Sequence, residues 1–447
     1  PCQHYRMPHP PLLLRAIGVR ALAATAFNVT VGGGIFRLPA EVAGKLGAAA
    51  PLAYLVCIIA IALIVLCFAE AGSRVSMTGG PYAYVEIAFG PFVGFLAGVL
   101  LWLLGSFAAA AVAWVFAASL AALWPALDAP VAHGIVIAAL FLVLASINIR
   151  GVKQGSRLIE IVTVAKMIPL LAFVVIGAFA VHAENLAWPG VPDRAALGQS
   201  VIVLIFAFAG IESALVPSGE VKDPARTVPR GLAIAAVAVT LFYIALQLVA
   251  QGILGPALAS DATKNAPLAA ALRVAIGPAG ALLMIVGAVI STFGHVSGMT
   301  LATPRALYAF GRDGFLPSRF AAVHPRFHTP YVAIAVQAAL AAILAISGKF
   351  LSLVIIANAS VLLLYFLCCL ATWKLRRDDV RADGAIPFRV PGGAIVPWLA
   401  CAVIVWILSS TPWPELRAVG LVLIGATIVF ALTARSRASR VQPAVPA

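Results

Sequence analysis

The sequence predicts an all-α polytopic membrane protein, and three observations carry that prediction. The chain of 447 residues is 63% apolar and 10% charged, with a mean hydropathy of +1.05. Soluble chains carry about 25% charged residues, so this balance excludes an ordinary soluble domain. The apolar residues fall in long continuous runs, where a β-barrel would need alternation. Finally, short basic loops alternate with short, nearly uncharged ones along the chain.

Twelve apolar segments emerge, at approximately 18–47, 51–75, 91–123, 131–149, 158–181, 199–217, 229–252, 279–303, 331–347, 351–373, 394–411 and 418–434. A run of about 20 apolar residues crosses a bilayer at 1.5 Å per residue, so these lengths suit spans. The loops Ser73–Gly90, Arg150–Arg157, Val216–Arg230, Arg305–Thr329 and Lys374–Pro391 fall on one side, and the longest loops on the other are 182–198 and 253–278.

The formal charge of +14 raises the question of nucleic acid. Of the Lys and Arg residues, 22 fall on one side, 6 on the other and 2 within spans. That asymmetry follows the positive-inside rule and needs no polyanion. It places a leader (1–17) and a tail (435–447) in the cytoplasm and makes a cell membrane the expected location. Cys57, Cys67, Cys368, Cys369 and Cys401 lie in apolar runs and Cys2 in the leader, so no disulfide framework is expected. No short apolar segment precedes a small-residue cleavage site, so no signal peptide is expected, and residues 1–6 stand upstream of Met7.

Segment 1 contains Val31-Gly32-Gly33-Gly34-Ile35-Phe36. Glycine costs a helix up to about 1 kcal/mol against alanine, and three together loosen the hydrogen-bond ladder. Lipid cannot satisfy a freed backbone group, so a break survives only where protein or a polar cavity covers it. Opened there, the segment presents a carbonyl-rich helix end and an N–H-rich one, which suit the ammonium and carboxylate of an amino acid. The alternative is a close helix contact through small residues.

Segment 6 repeats the anomaly in Phe206-Ala207-Phe208-Ala209-Gly210-Ile211-Glu212, with Pro217 following. Five spans separate the two interruptions, and an odd number reverses the second unit across the membrane. Spans 1–5 (18–181) and 6–10 (199–373) are thus candidates for an inverted repeat, with spans 11 and 12 (394–434) outside it. Interrupted segments at corresponding positions point to a transport site.

Other polar residues at depth carry two readings each. Lys166, in segment 5, is an ion or proton coupling group or a fixed charge bonded to carbonyls of segment 1. Glu212 is a cap on the second half-helix or a proton carrier. Arg37 and Glu41 suit an i, i+4 ion pair, structural or gating. The hydroxyls of Ser291, Thr292 and Ser297 complete a cation site or bond their own helix, and His295 is a helix contact or a relay. Segment 3, Leu104 to Val112 including Ala109, offers a small uncharged wall, and Phe206 and Phe208 offer aromatic ones. An uncharged pocket argues against arginine, polyamines or glutamate. Metal-ligand spacing, phosphate loops and nucleophile elbows are missing, so no catalytic residue, metal or cofactor is expected.

Gly32-Gly33-Gly34-Ile35-Phe36 with Leu38-Pro39, Glu70 with Gly79-Gly80-Pro81-Tyr82-Ala83-Tyr84, and Phe89-Gly90-Pro91 form an ordered set. Phe206 to Glu212, Glu220 to Pro229, and Arg305 with Gly311-Arg312-Asp313-Gly314-Phe315-Leu316-Pro317 continue it. In this order the set resembles the amino acid–polyamine–organocation (APC) transporter superfamily, over about residues 16–378. The resemblance implies a LeuT-like fold of twelve helices working by alternating access. It implies that the backbone at Gly32–Gly34 holds the substrate carboxylate, and that carbonyls near Val29–Val31 and Phe206–Phe208 hold the amine. Phe206 would cover the substrate, Lys166 would replace sodium, and Ser291 would stand beside that lysine. Two departures stand out. Gly33 replaces the serine or threonine of many relatives, and Ala109 stands where the arginine/agmatine antiporter has asparagine.

The expectation is therefore a sodium-independent carrier of neutral amino acids, binding through Val31, Gly32, Gly33, Gly34, Ile35, Phe206, Ala207, Phe208, Gly210 and Ala109 and coupling through Lys166, Ser291 and Glu212. Proton symport and exchange remain open, as do a cationic amino acid or polyamine antiporter and a non-transporting receptor. Its partners are the amino acid, protons under symport, and the bilayer. Monomer and homodimer are both open.

Overall fold

The computed structural model describes residues 17–433 other than 76–79, 151, 189, 191, 216–220 and 382–385, and over 152–164 it describes the helix only. The leader to residue 16, the tail from 434, Cys2, Gly79, Pro217, Glu220 and the side chains of Lys153, Arg157 and Thr163 lie outside the described residues.

Among the described residues the chain is helical, and its β pairing is a single bridge between Ile17 and Val221. The helices run α1 Val19–Thr30, α2 Leu38–Leu46, α3 Ala50–Arg74, α4 Pro81–Phe89, α5 Pro91–Ala121, α6 Pro130–Arg150, α7 Val152–Gly177 and α8 Arg194–Phe208. They continue with α9 Pro224–Leu254, α10 Pro267–Ile276, α11 Pro278–Ala302, α12 Pro304–Arg312, α13 Tyr331–Ser347, α14 Phe350–Arg377, α15 Ile395–Ser409 and α16 Trp413–Leu432. Among the described residues, 8 helical stretches are long and apolar enough to cross a membrane, and 4 further apolar stretches are shorter. The protein is a multi-pass membrane protein.

Local chemistry explains many helix starts. Pro91, Pro130, Pro224 and Pro278 each open a helix, at the position where a missing N–H removes no bond. Asp193 caps α8 by accepting from the N–H groups of Ala195 at 3.0 Å and Ala196 at 3.1 Å, which starts that helix five residues before the expected 199. Three short helices, α4, α10 and α12, occupy stretches expected as loops. Each opens on a proline and buries an apolar face, as α10 does with Leu268, Ala271 and Leu272.

Burial separates a centre from a rim. The most apolar window of α5 is 78% buried, and α8 and α14 follow at 72%, whereas α16 is 11% buried. The central helices are therefore wrapped by protein, and α16 turns Leu421, Ile424, Ile428 and Leu432 outward. One end of the bundle is pinned by charge. Fully buried Glu70 on α3 accepts from Arg74 Nε at 3.0 Å, from Arg376 Nε at 2.8 Å and from the Val390 N–H at 2.9 Å. Arg376 Nη2 also donates to Glu70 Oε2, and these charge-assisted bonds together satisfy a carboxylate that burial alone would penalise.

Candidate functional site

Both anticipated interruptions are breaks in the helix. After Thr30 the backbone at Gly32 turns extended, with φ −98° and ψ −164°, then forms one 3₁₀ turn over Gly33–Phe36 before α2 begins. After Phe208 the chain is extended at Ala209, and Gly210 adopts φ +118° before a 3₁₀ turn over Ile211–Leu215. Glycine is needed at that φ, and a Cβ there would also stand 2.9 Å from the Val29 carbonyl oxygen. The two breaks thus lie against each other.

Each break leaves backbone groups to be satisfied. At the first, Lys166 Nζ of α7 donates to the carbonyls of Asn28 and Val31, each at 2.7 Å. At the second, the Glu212 carboxylate accepts from the Gly210 N–H at 2.9 and 3.1 Å and from the Tyr365 hydroxyl at 2.6 Å. Tyr243 joins the two, its hydroxyl lying 2.9 Å from Thr30 O and 2.8 Å from Ala207 O. One hydroxyl proton serves one carbonyl at a time, so the two helix ends share a donor.

A cavity of about 630 Å³ opens beside the breaks. Gly32, Gly33, Gly34 and Ile35 wall it together with Phe206, Ala207, Gly210 and Glu212. Leu101, Leu104, Gly105 and Ala108 of α5 form a second wall, and His295, Met299 and Thr303 a third. At its far end stand Tyr82, Arg305, Arg312, Asp313 and Phe315. Arg312 and Asp313 are solvent-exposed, so the mouth opens there.

The opposite end is shut. The Phe206 ring packs against Gly34, where a Cβ would come within 2.7 Å of it. Beyond it, the expected Arg37–Glu41 pair forms at 3.0 Å. Arg37 also donates to Asn265 Oδ1 at 3.0 Å and lies 4.7 Å from the Trp114 ring centre and 4.6 Å from that of Phe350. One guanidinium ties the start of α2 to α5, α14 and the loop before α10.

Other expected site residues lie off the cavity wall. Val31 is fully buried and reaches Lys166 through its carbonyl. Phe208 packs edge-on against Tyr243 with ring centres 5.3 Å apart. Ala109 is buried behind the wall that its neighbours Ala108 and Gly105 provide. Lys166 and Ser291 are buried and line no part of the cavity. The span-8 hydroxyls divide: Thr292 bonds its own helix at Ala288 O, 2.6 Å away, while Ser291 Oγ has no partner among the described residues. His295 covers Gly32, with Nδ1 2.9 Å from where a Cβ would stand.

Gly33 has a packing reason. A Cβ there would stand 2.7 Å from Val112 Cγ1 and 2.8 Å from Thr292 Cγ2, so neighbouring side chains fill the space a serine would need. Tyr243, Tyr365 and Met299 were missed by sequence reasoning. Tyr243 and Tyr365 each carry a usable signal, a hydroxyl inside an apolar segment. Among the described residues no three His, Cys, Asp or Glu side chains converge as metal ligands.

A family profile described as amino acid permease matches residues 17–433. The chain is 30% identical over 424 residues to the serine/threonine exchanger SteT of Bacillus subtilis (strain 168), covering 92% of this chain and 95% of that one. It is 27% identical over 439 residues to the methylthioribose transporter of the same organism, covering 95% and 94%. It is also 25% identical over 443 residues to that organism's branched-chain amino acid permease BcaP, covering 94% and 93%.

Proposed function

The chain belongs to the amino acid permease family, and from that premise we propose that it exchanges neutral amino acids across the cytoplasmic membrane, independently of sodium. The observation that carries this reading is the Lys166 ammonium, 2.7 Å from two carbonyls at the first break, behind a cavity walled by both breaks. An ammonium there supplies the charge that a sodium ion would otherwise bring. The Gly32–Gly34 backbone on the cavity wall, through the N–H groups of Gly33 and Gly34, meets the cargo carboxylate, and carbonyls at the two helix ends meet its ammonium.

The apolar wall formed by Leu104, Gly105, Ala108 and Met299 supports small neutral side chains. So do relatives named for serine and threonine exchange and for branched-chain amino acids. Twelve spans in two inverted sets of five (18–181 and 199–373) plus two (394–434), with both termini cytoplasmic, are part of the same reading. In that orientation the mouth at Arg312 faces the cytoplasm.

The Lys166 ammonium is held by two carbonyls of the first break, which favours exchange with a fixed charge over proton symport. Proteoliposomes test both. Uptake of labelled L-threonine or L-leucine only into vesicles preloaded with amino acid is the expected result. Accumulation in empty vesicles driven by an inward proton gradient would replace exchange with symport. Binding without flux would make the protein a receptor.

A further inference from the structure

Two cations line the cavity toward its mouth, and they differ in what they touch. Arg312 pairs with Asp313, its Nε 2.8 Å from Oδ1. Arg305 has no ion pair among the described residues, and its Nη1 is shut off from solvent without a hydrogen-bond partner. The residues beside it offer no acid, because Ala306 and Ala309 of the same helix and Ala302 at the end of α11 flank it on the cavity wall. The other carboxylate on that wall, Glu212, is held by Gly210 and Tyr365. A guanidinium is charged at any physiological pH and presents five donors in a planar fork suited to a carboxylate. A cavity that keeps such a fork unpaired is built for an anion that comes and goes.

We propose that Arg305 is a second binding position for the cargo carboxylate, which it takes over from the Gly32–Gly34 backbone as the amino acid leaves through the mouth. This rests on the transport reading above and adds a station to it. The cargo would turn within the cavity, carboxylate toward the mouth, trading backbone N–H donors for a side-chain fork. On entry from the mouth, Arg305 would be the first group to orient it.

Phenylglyoxal, which modifies arginine, reads Arg305 directly when the purified full-length protein is digested and the labelled peptide is weighed. L-Threonine and L-leucine should each slow labelling of Arg305, whereas 1-amino-2-propanol, which lacks the carboxylate, should not. Chloride and inorganic phosphate at the same concentration separate a carboxylate site from a general anion site, and equal protection by either overturns the proposal. In proteoliposomes, Arg305→Gln should raise the half-saturation concentration on the mouth side about ten-fold and change the other side by less than about two-fold. Arg305→Lys should recover part of the loss, which a folding defect in Arg305→Gln would not predict. Wild-type flux without protection of Arg305 overturns this inference and leaves transport standing. Protection without flux keeps the carboxylate site and removes the transport reading.

Discussion

The two breaks solve one problem with opposite charges. At the first, carbonyls of α1 are met by a cation from a distant helix, 138 and 135 residues away in sequence. At the second, a freed N–H is met by an anion two residues further on, itself fixed by Tyr365. The second break is therefore largely self-contained, while the first exists only as long as α7 stays where it is. Anything that moves α7 against α1 must also disturb the carbonyls that we propose receive the cargo ammonium. The difference makes the first break the one able to report a conformational change.

Four substitutions test that contrast, beginning with the largest effect. Lys166→Met strands the buried Val31 carbonyl and the part-buried Asn28 carbonyl, at a cost of about 1–3 kcal/mol for a buried acceptor. Counterflow should fall at least about ten-fold, while amino acid binding measured by thermal shift stays detectable. Unchanged counterflow would show that the first break does not depend on α7. Next is Gly33→Ser, whose Cβ meets Val112 and Thr292 inside 3 Å; overpacking of this kind costs about 1–3 kcal/mol. Pairing it with Val112→Ala should recover flux in part, and no recovery would separate the defect from packing.

Glu212→Gln keeps an acceptor for the Gly210 N–H and removes only the charge, so about 1 kcal/mol is expected. A self-contained break should survive it, with flux down only a few-fold. A loss as large as that of Lys166→Met would erase the contrast between the breaks. Tyr243→Phe deletes the hydroxyl shared by Thr30 and Ala207. It should lower stability by about 1 kcal/mol, read as a small fall in unfolding temperature in detergent.

Much of this was legible along the chain because its signals are local. Prolines open helices wherever they fall at the first turn, and Gly32–Gly34 and Gly210 mark breaks because the backbone there is cheap to bend. The Arg37–Glu41 pair follows from spacing alone. The short helices α4, α10 and α12 were less visible, since their apolar faces become stable only against neighbours from elsewhere in the sequence. Ala109 illustrates a further limit: one residue of helical rotation, about 100°, decides whether Ala108 or Ala109 faces the cavity.

The sequence by itself determined that the chain is helical and membrane-spanning, and where two of its helices come apart, because lipid leaves an apolar chain few alternatives and glycine and proline act within a turn of their own position. Only the tertiary structure decided which side chains meet the loose ends. Lys166 with Asn28 and Val31, Tyr243 with Thr30 and Ala207, and Arg305 with no acid among the described residues are matters of approach between distant segments, and no spacing along the chain encodes such an approach.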